Sequence, residues 1–182
     1  MNLVDIIILA LALSIDATVA TFSCVMNASF RNYKEMIYKS LVVCFIMGFF
    51  QGLMPIFGAF FAEGLDVLIE PFSKWIIFGI FFYLGISFIV NSFKKAKLIK
   101  KVNLKKVVLL AIATSLDAFS AGVPIYLELK SILFPAILIG VVTFINSMIG
   151  FYTGIYSKRI QPKYLLRFSG LILLFLAIKV FN

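Results

Sequence analysis

Long apolar runs separated by short polar stretches dominate this chain. Six runs stand out: Leu3 to Met26, Met36 to Ala62, Phe72 to Phe93, Lys105 to Glu128, Ser131 to Ser157 and Lys163 to Phe181. Each is near the ~20 residues that carry an α-helix across ~30 Å of hydrocarbon. The runs are continuously apolar rather than alternating, which argues against the strands of a membrane barrel. The pattern predicts an all-α, polytopic membrane protein with six transmembrane helices. Little chain is left between the runs, so residues 1–182 read as one transmembrane domain with no soluble module.

Composition agrees with the pattern. Hydrophobic residues make up 63% of the chain and charged ones 14%, against about 25% charged in a typical soluble domain. The first run lacks a basic leader and is long enough to span, so it does not read as a signal peptide. Cys24 and Cys44 lie in separate runs and form no CxxC pair, so they read as inert buried thiols. There is no histidine to serve as a general base and no protease motif, so an enzyme is not expected.

The net charge of +9 is distributed unevenly. Of the 17 lysines and arginines, only Lys74, Lys130 and Lys179 fall on one side of the predicted helices; the other fourteen fall on the opposite side. The positive-inside rule makes the rich side cytoplasmic and puts both termini outside. The run "KKAKLIKK" then serves as a topology determinant touching anionic lipid headgroups. No aromatics are interleaved with it, so a nucleic-acid partner is not expected.

One short motif occurs twice. "LSIDATVA" (Leu13 to Ala20) returns as "TSLDAFSA" (Thr114 to Ala121), 101 residues later. Gly48 and Gly58 in the second run align with Gly140 and Gly150 in the fifth, and Gly79 in the third with Gly170 in the sixth. The chain therefore reads as two three-helix halves, 1–93 and 105–182, joined by a basic cytoplasmic linker over 94–104. Three helices per half is an odd number, so the halves insert in opposite orientations. Such inverted repeats are typical of secondary transporters, whose sites lie near the midplane between the repeats.

Asp16 and Asp117 sit at the centres of the repeated motifs. A charged aspartate at a helix centre costs about 2.5 to 3.5 kcal/mol even on a lenient insertion scale. Two that face each other also repel. One divalent cation, or two protons, makes the pair neutral, so the pair is suited to exchanging one for the other. Residues three and four positions away on a helix share a face. Around Asp117 these include Thr114 and Ser120; Ser14 and Ser115 precede the two aspartates by two positions. Ser14, Thr18 and Ser115 have a competing role as donors to their own helix backbone. Gln51 and Asn146 are amides inside apolar runs, each a ligand, a gate or a helix–helix hydrogen bond, and Thr143 and Ser147 pose the same choice. Pro55 frees a carbonyl about one turn upstream, and an unwound carbonyl there would add an oxygen ligand. An oxygen-rich donor set without histidine favours Mn²⁺, Mg²⁺ or Ca²⁺ over Zn²⁺ or Cu⁺, and the chemistry leaves those three open.

These residues also carry a resemblance. "SIDA" in the first helix, "FFQGLMPIFG" in the second, "KWIIF" opening the third and "ATSLDAFSAG" in the fourth resemble the MntP-type manganese exporters, a family similar to the wider lysine-exporter superfamily. Phe57-Gly58-Ala59 stands where that family often has I-G-W, and Pro124 interrupts its glycine-rich continuation; a sporulation-associated membrane family shares the S-L-D-A motif. The resemblance implies Mn²⁺ export from a bacterial cytoplasm across the inner membrane. It implies metal-site roles for Asp16 and Asp117, and for Gln51 and Asn146 beside them, with Ser14, Thr114, Ser115, Ser120 and Thr143 as the surrounding polar shell. No cofactor is implied; manganese is cargo, and protons and the bilayer are the other partners. No nucleotide-binding motif is present, so proton antiport is the expected drive. Rival readings are a non-transporting scaffold in sporulation or envelope assembly, and an exporter of a small organic cation by superfamily analogy.

Overall fold

The computed structural model describes residues 2–25, 30–64, 72–93, 104–156 and 163–180. Among them the chain is helical: α1 (Leu3–Val25), α2 (Tyr33–Gly64), α3 (Ser73–Asn91), α4 (Leu104–Thr114), α5 (Leu116–Leu129), α6 (Leu133–Tyr156) and α7 (Lys163–Lys179). Five spans are long and apolar enough to cross a membrane, with α4 and α5 together forming one of them, Leu104–Leu129. The sixth apolar run forms α7, at 17 residues the shortest crossing candidate. Of the linker 94–104, only Leu104 is among the described residues.

Two expectations about local structure need correction. The fourth run is not one helix: α4 ends at Thr114, and α5 starts at Leu116 after Ser115 (φ −92°, ψ 1°). The hydroxyls of Thr114 and Ser115 both turn back onto α4 carbonyls, a local competition with the helix ladder that Ser and Thr commonly set up. Pro55, by contrast, unwinds nothing: α2 stays helical through it.

The helices of the first half pack mainly against those of the second rather than on one another. Helix α1 lies on α6 and α7, α2 on α4, α5 and α6, and α3 on α5 and α7. Small residues let the backbones approach. A Cβ at Gly48 would stand 2.7 Å from the Gly140 carbonyl oxygen, and one at Gly140 would stand 3.1 Å from that of Gly48. Gly79 has open space around it; on α3 it is Gly85 that meets Gly170.

Two apolar clusters fill the interior. One holds Leu9, Leu13, Ile77, Phe81, Ile125 and Leu173, near the N-terminal end of α1. The other holds Cys24, Val25, Val43, Cys44, Met47 and Phe151, near its C-terminal end. Both cysteines are free and buried, as their spacing suggested. Large apolar side chains such as Phe45, Phe60, Trp75, Ile137 and Phe175 cover the outer surface, where a bilayer would meet them.

Candidate cation site

The two apolar clusters bracket a polar layer. On α1 the layer starts at Ser14, after Leu13 of one cluster, and precedes Cys24 of the other. On α6 it runs from Thr143 to Ser147, between Ile139 and Phe151. On α4 and α5 it covers Thr114 to Asp117, between Ala111 and Ala121. Gln51 lies just past Met47 on α2. All four sequence-predicted ligand candidates therefore fall in one layer at mid-depth.

Asp16 and Asp117 are each half-buried and lie within electrostatic reach of one another. The Gln51 amide is close to Asp117 and also donates to the Leu13 carbonyl at 3.3 Å. Gln51 thus ties α2 to α1 beside the Asp117 carboxylate. Asp117 sits in the first turn of α5, where free amides gather. Its Oδ1 accepts the Ala118 N–H at 2.8 Å, while its Oδ2 is buried with no hydrogen-bond partner. Asp16 lies within unbroken α1 and has no such helix start beside it. Two similar motifs thus present their carboxylates differently.

Asn146 behaves as a cross-link. Its Nδ2 donates to Ser14 Oγ at 2.6 Å, and Ser14 passes its own proton to the Leu11 carbonyl at 2.8 Å. Among the other predicted shell hydroxyls, all but Thr143 also turn back on their own helices, and Thr18 does the same. Thr18 donates to the Ser14 carbonyl, Thr114 to Leu110, Ser115 to Ile112 and Ser120 to Leu116. Their protons are spent on the backbone, which leaves oxygen lone pairs free to face a cation.

Three hydroxyls break that habit. Thr21 Oγ1, Thr143 Oγ1 and Ser147 Oγ are fully buried and have no partner. An orphaned buried polar atom costs about 1 to 3 kcal/mol, and folded proteins hold few of them. Thr21 was not singled out by the sequence reading, because a threonine in an apolar helix ordinarily bonds the preceding turn. No cluster of three or more His, Cys, Asp or Glu side chains exists among the described residues. Any cation here would therefore be held by two carboxylates, amide oxygens and hydroxyls.

Both copies of the repeated motif contribute residues to the polar layer, and comparison with known sequences places the chain. A family profile described as "Putative manganese efflux pump" matches residues 34–181. The chain belongs to the MntP family. A "Putative manganese efflux pump MntP" from Methanocorpusculum labreanum is 33% identical over 96% of this chain and 95% of its own length. A protein with the same description from Methanosphaera stadtmanae is 31% identical over 98% of both chains, a span that includes Asp16 and Asp117. Another from Bacteroides fragilis is 38% identical over 63% of each chain. No solved structure matches. Family membership makes the chain a multi-pass membrane protein of a transport family and accounts for its apolar helices.

Proposed function

We propose that this chain exports Mn²⁺ from the cytoplasm and that Asp16 and Asp117 hold the ion in transit. The observation that carries this is two carboxylates within electrostatic reach of one another, with the Gln51 amide beside Asp117, in a polar layer bracketed by apolar clusters. The description of its relatives as manganese efflux pumps favours manganese among the three oxygen-loving ions.

The two halves are read as an inverted repeat with both termini outside. Their contacts support this. A Cβ at Gly150 would meet the Thr18 carbonyl oxygen, and one at Gly58 would meet that of Phe119. The offsets of 101 and 92 residues carry Thr18 to Phe119 and Gly58 to Gly150, so one contact is the repeat image of the other. In this orientation α1 and α6 run from outside to inside, and the cluster around Phe151 is the cytoplasmic seal.

Export works against an inside-negative potential, at about 4.6 kcal/mol per 100 mV for two charges. Exchange of one Mn²⁺ for two protons is electroneutral and removes that cost. It also keeps the carboxylate pair neutral whichever cargo it holds. The metal leaves outward, and two protons taken up from outside reset the pair for inward exposure.

The test uses proteoliposomes loaded with Mn²⁺ under an imposed pH gradient. Wild-type protein should release metal in proportion to the gradient, and Asp16→Asn or Asp117→Asn should abolish release while the protein still folds. Wild-type rates in either variant would sink the assignment. Release that ignores the gradient would remove proton coupling and leave the site standing.

A further inference from the structure

A cavity of about 350 Å³ opens where the start of α1 and α3 meets the end of α5 and α7. In the orientation proposed above, all four of these ends lie on the outer side. Each helix gives the cavity one charged side chain: Asp5, Lys74, Glu128 and Lys179. Only three of the 17 lysines and arginines fall on that side, and two of them line this one cavity. Ile77, Phe81 and Leu176 line it as well, and all three belong to the apolar cluster that borders the polar layer. On α1, Asp5, Leu9 and Leu13 recur every four residues and share a face. Asp5 lines the cavity, Leu9 and Leu13 belong to the cluster, and Ser14 begins the polar layer. At about 1.5 Å per residue, the Asp5 and Leu13 levels are roughly 12 Å apart, and Asp16 lies about 16 Å below Asp5.

The Asp5 carboxylate is buried, and both of its oxygens are engaged. Oδ1 accepts from Lys179 Nζ at 2.6 Å, and Oδ2 accepts from the Asn2 N–H at 3.0 Å. The ion pair joins α1, which carries Asp16, to α7 at the cavity wall. Burying a carboxylate for one ion pair is a poor way merely to fasten two helices, because packed apolar side chains often do as well or better. An ion pair differs when the contact has to open: both groups regain water, whereas parted apolar faces do not. Lys179 is already half-exposed. The repeat offers no equivalent at the other end of the molecule. The offset of 101 carries Asp5 to Lys106, a base where the outer end has an acid.

We propose that this cavity is the outer vestibule through which the cation leaves, and that the Asp5–Lys179 pair is the latch that keeps it shut off from the polar layer. The cluster around Leu9 and Phe81 is the plug beneath it. Release requires α1 to part from α7 at this end, which breaks the pair and lets water reach Leu9 and Leu13. With the latch at the outer end alone, the resting protein favours the state closed to the outside. The inference rests on the orientation and the export reading given under Proposed function.

The test is thiol accessibility in right-side-out and everted membrane vesicles. Leu9→Cys, in protein carrying Cys24→Ala and Cys44→Ala, reports on the plug. The native Cys44, in protein carrying Cys24→Ala, reports on the inner cluster. Each reporter is combined with Asp5→Asn and, separately, with Lys179→Met, so that one variant serves if the other misfolds. A membrane-impermeant thiosulfonate applied from outside should label Leu9→Cys at least fivefold faster once the latch is broken. Cys44, labelled from the cytoplasmic side, should react no faster than in its parent. An unchanged rate at Leu9→Cys overturns the latch. A rise at both reporters marks general loosening of the helices and overturns it as well. Labelling of Leu9→Cys from the cytoplasmic side alone overturns the proposal through its orientation and leaves the assignment of Asp16 and Asp117 untouched. The labelling needs no metal, so its outcome is separate from that of the transport assay.

Discussion

Gly150→Ala is a sharp test of the packing that holds the site. The new Cβ would stand 2.5 Å from the Thr18 carbonyl oxygen and 3.0 Å from Thr18 Cγ2. Ordinary contact begins near 3.4 Å, so α6 must retreat from α1 by about 0.9 Å, or the backbone must distort by as much. The obstacle is a main-chain oxygen in a helix, which cannot swing aside as a side chain can. One turn away, the Asn146–Ser14 bond of 2.6 Å would stretch to about 3.5 Å, the edge of a usable hydrogen bond. Overpacking costs about 1 to 3 kcal/mol and the weakened bond about 0.5 to 1.5. Alanine returns about 0.5 to 1 kcal/mol through its better helix propensity. Gly79→Ala is the internal control, since nothing lies within 4 Å of its added Cβ, and it gains the same propensity without the clash. The two variants should therefore differ by about 3 kcal/mol. That corresponds to roughly 6 to 12 °C in apparent Tm, measured by intrinsic fluorescence in one detergent at one scan rate. Transport by Gly150→Ala should fall as well, because Thr18 lies two residues from Asp16. Unfolding of both variants within about 2 °C of each other would refute the close approach and the register built on it.

Gln51→Leu should leave folding near wild type and weaken metal transport about tenfold, measured as KM in proteoliposomes, since it removes the amide beside Asp117 at a cost of about 1.4 kcal/mol. Asp5→Asn should lower stability by about 1 to 2 kcal/mol: its buried carboxylate accepts from Lys179 Nζ at 2.6 Å, and the half-exposed lysine regains water when the pair breaks. A double-mutant cycle with Lys179→Met should return most of that energy as coupling, and additive losses would show that the pair does not fasten α1 to α7. Asn146→Leu should cost more in stability than in metal affinity if its main task is the bond to Ser14.

The helices were legible because apolar runs of spanning length allow few alternatives. Most observed ends fall within two or three residues of those read from the runs. The break at Ser115 was not legible. Ser, Leu and Asp in an apolar run fit a continuous helix as well as a broken one, and the repeated motif in α1 does stay continuous. Pro55 was the more conspicuous breaker, yet α2 runs through it. Gln51, Asn146, Asp16 and Asp117 could be picked out because each is costly in hydrocarbon. Thr21 could not, because only the missing bond to its own backbone distinguishes it from other membrane threonines. The Asp5–Lys179 pair joins residues 174 positions apart, and one sequence holds no sign of such a closure.

The interruption at Ser115 also has a mechanical meaning. Bending a continuous helix at mid-membrane breaks ladder bonds where no water can replace them. At Ser115 part of that ladder is already diverted: the Ala118 amide bonds the Asp117 carboxylate, and the Thr114 and Ser115 hydroxyls occupy α4 carbonyls. The backbone still bridges the break through Ser115, whose N–H bonds the Ala111 carbonyl and whose carbonyl takes the Phe119 N–H, each at 3.0 Å. A bend at Ser115 would therefore give up fewer ladder bonds than one in an unbroken helix, and Asp117 stands on α5 immediately past that point. The first crossing has no such break, and Asp16 lies within the continuous α1.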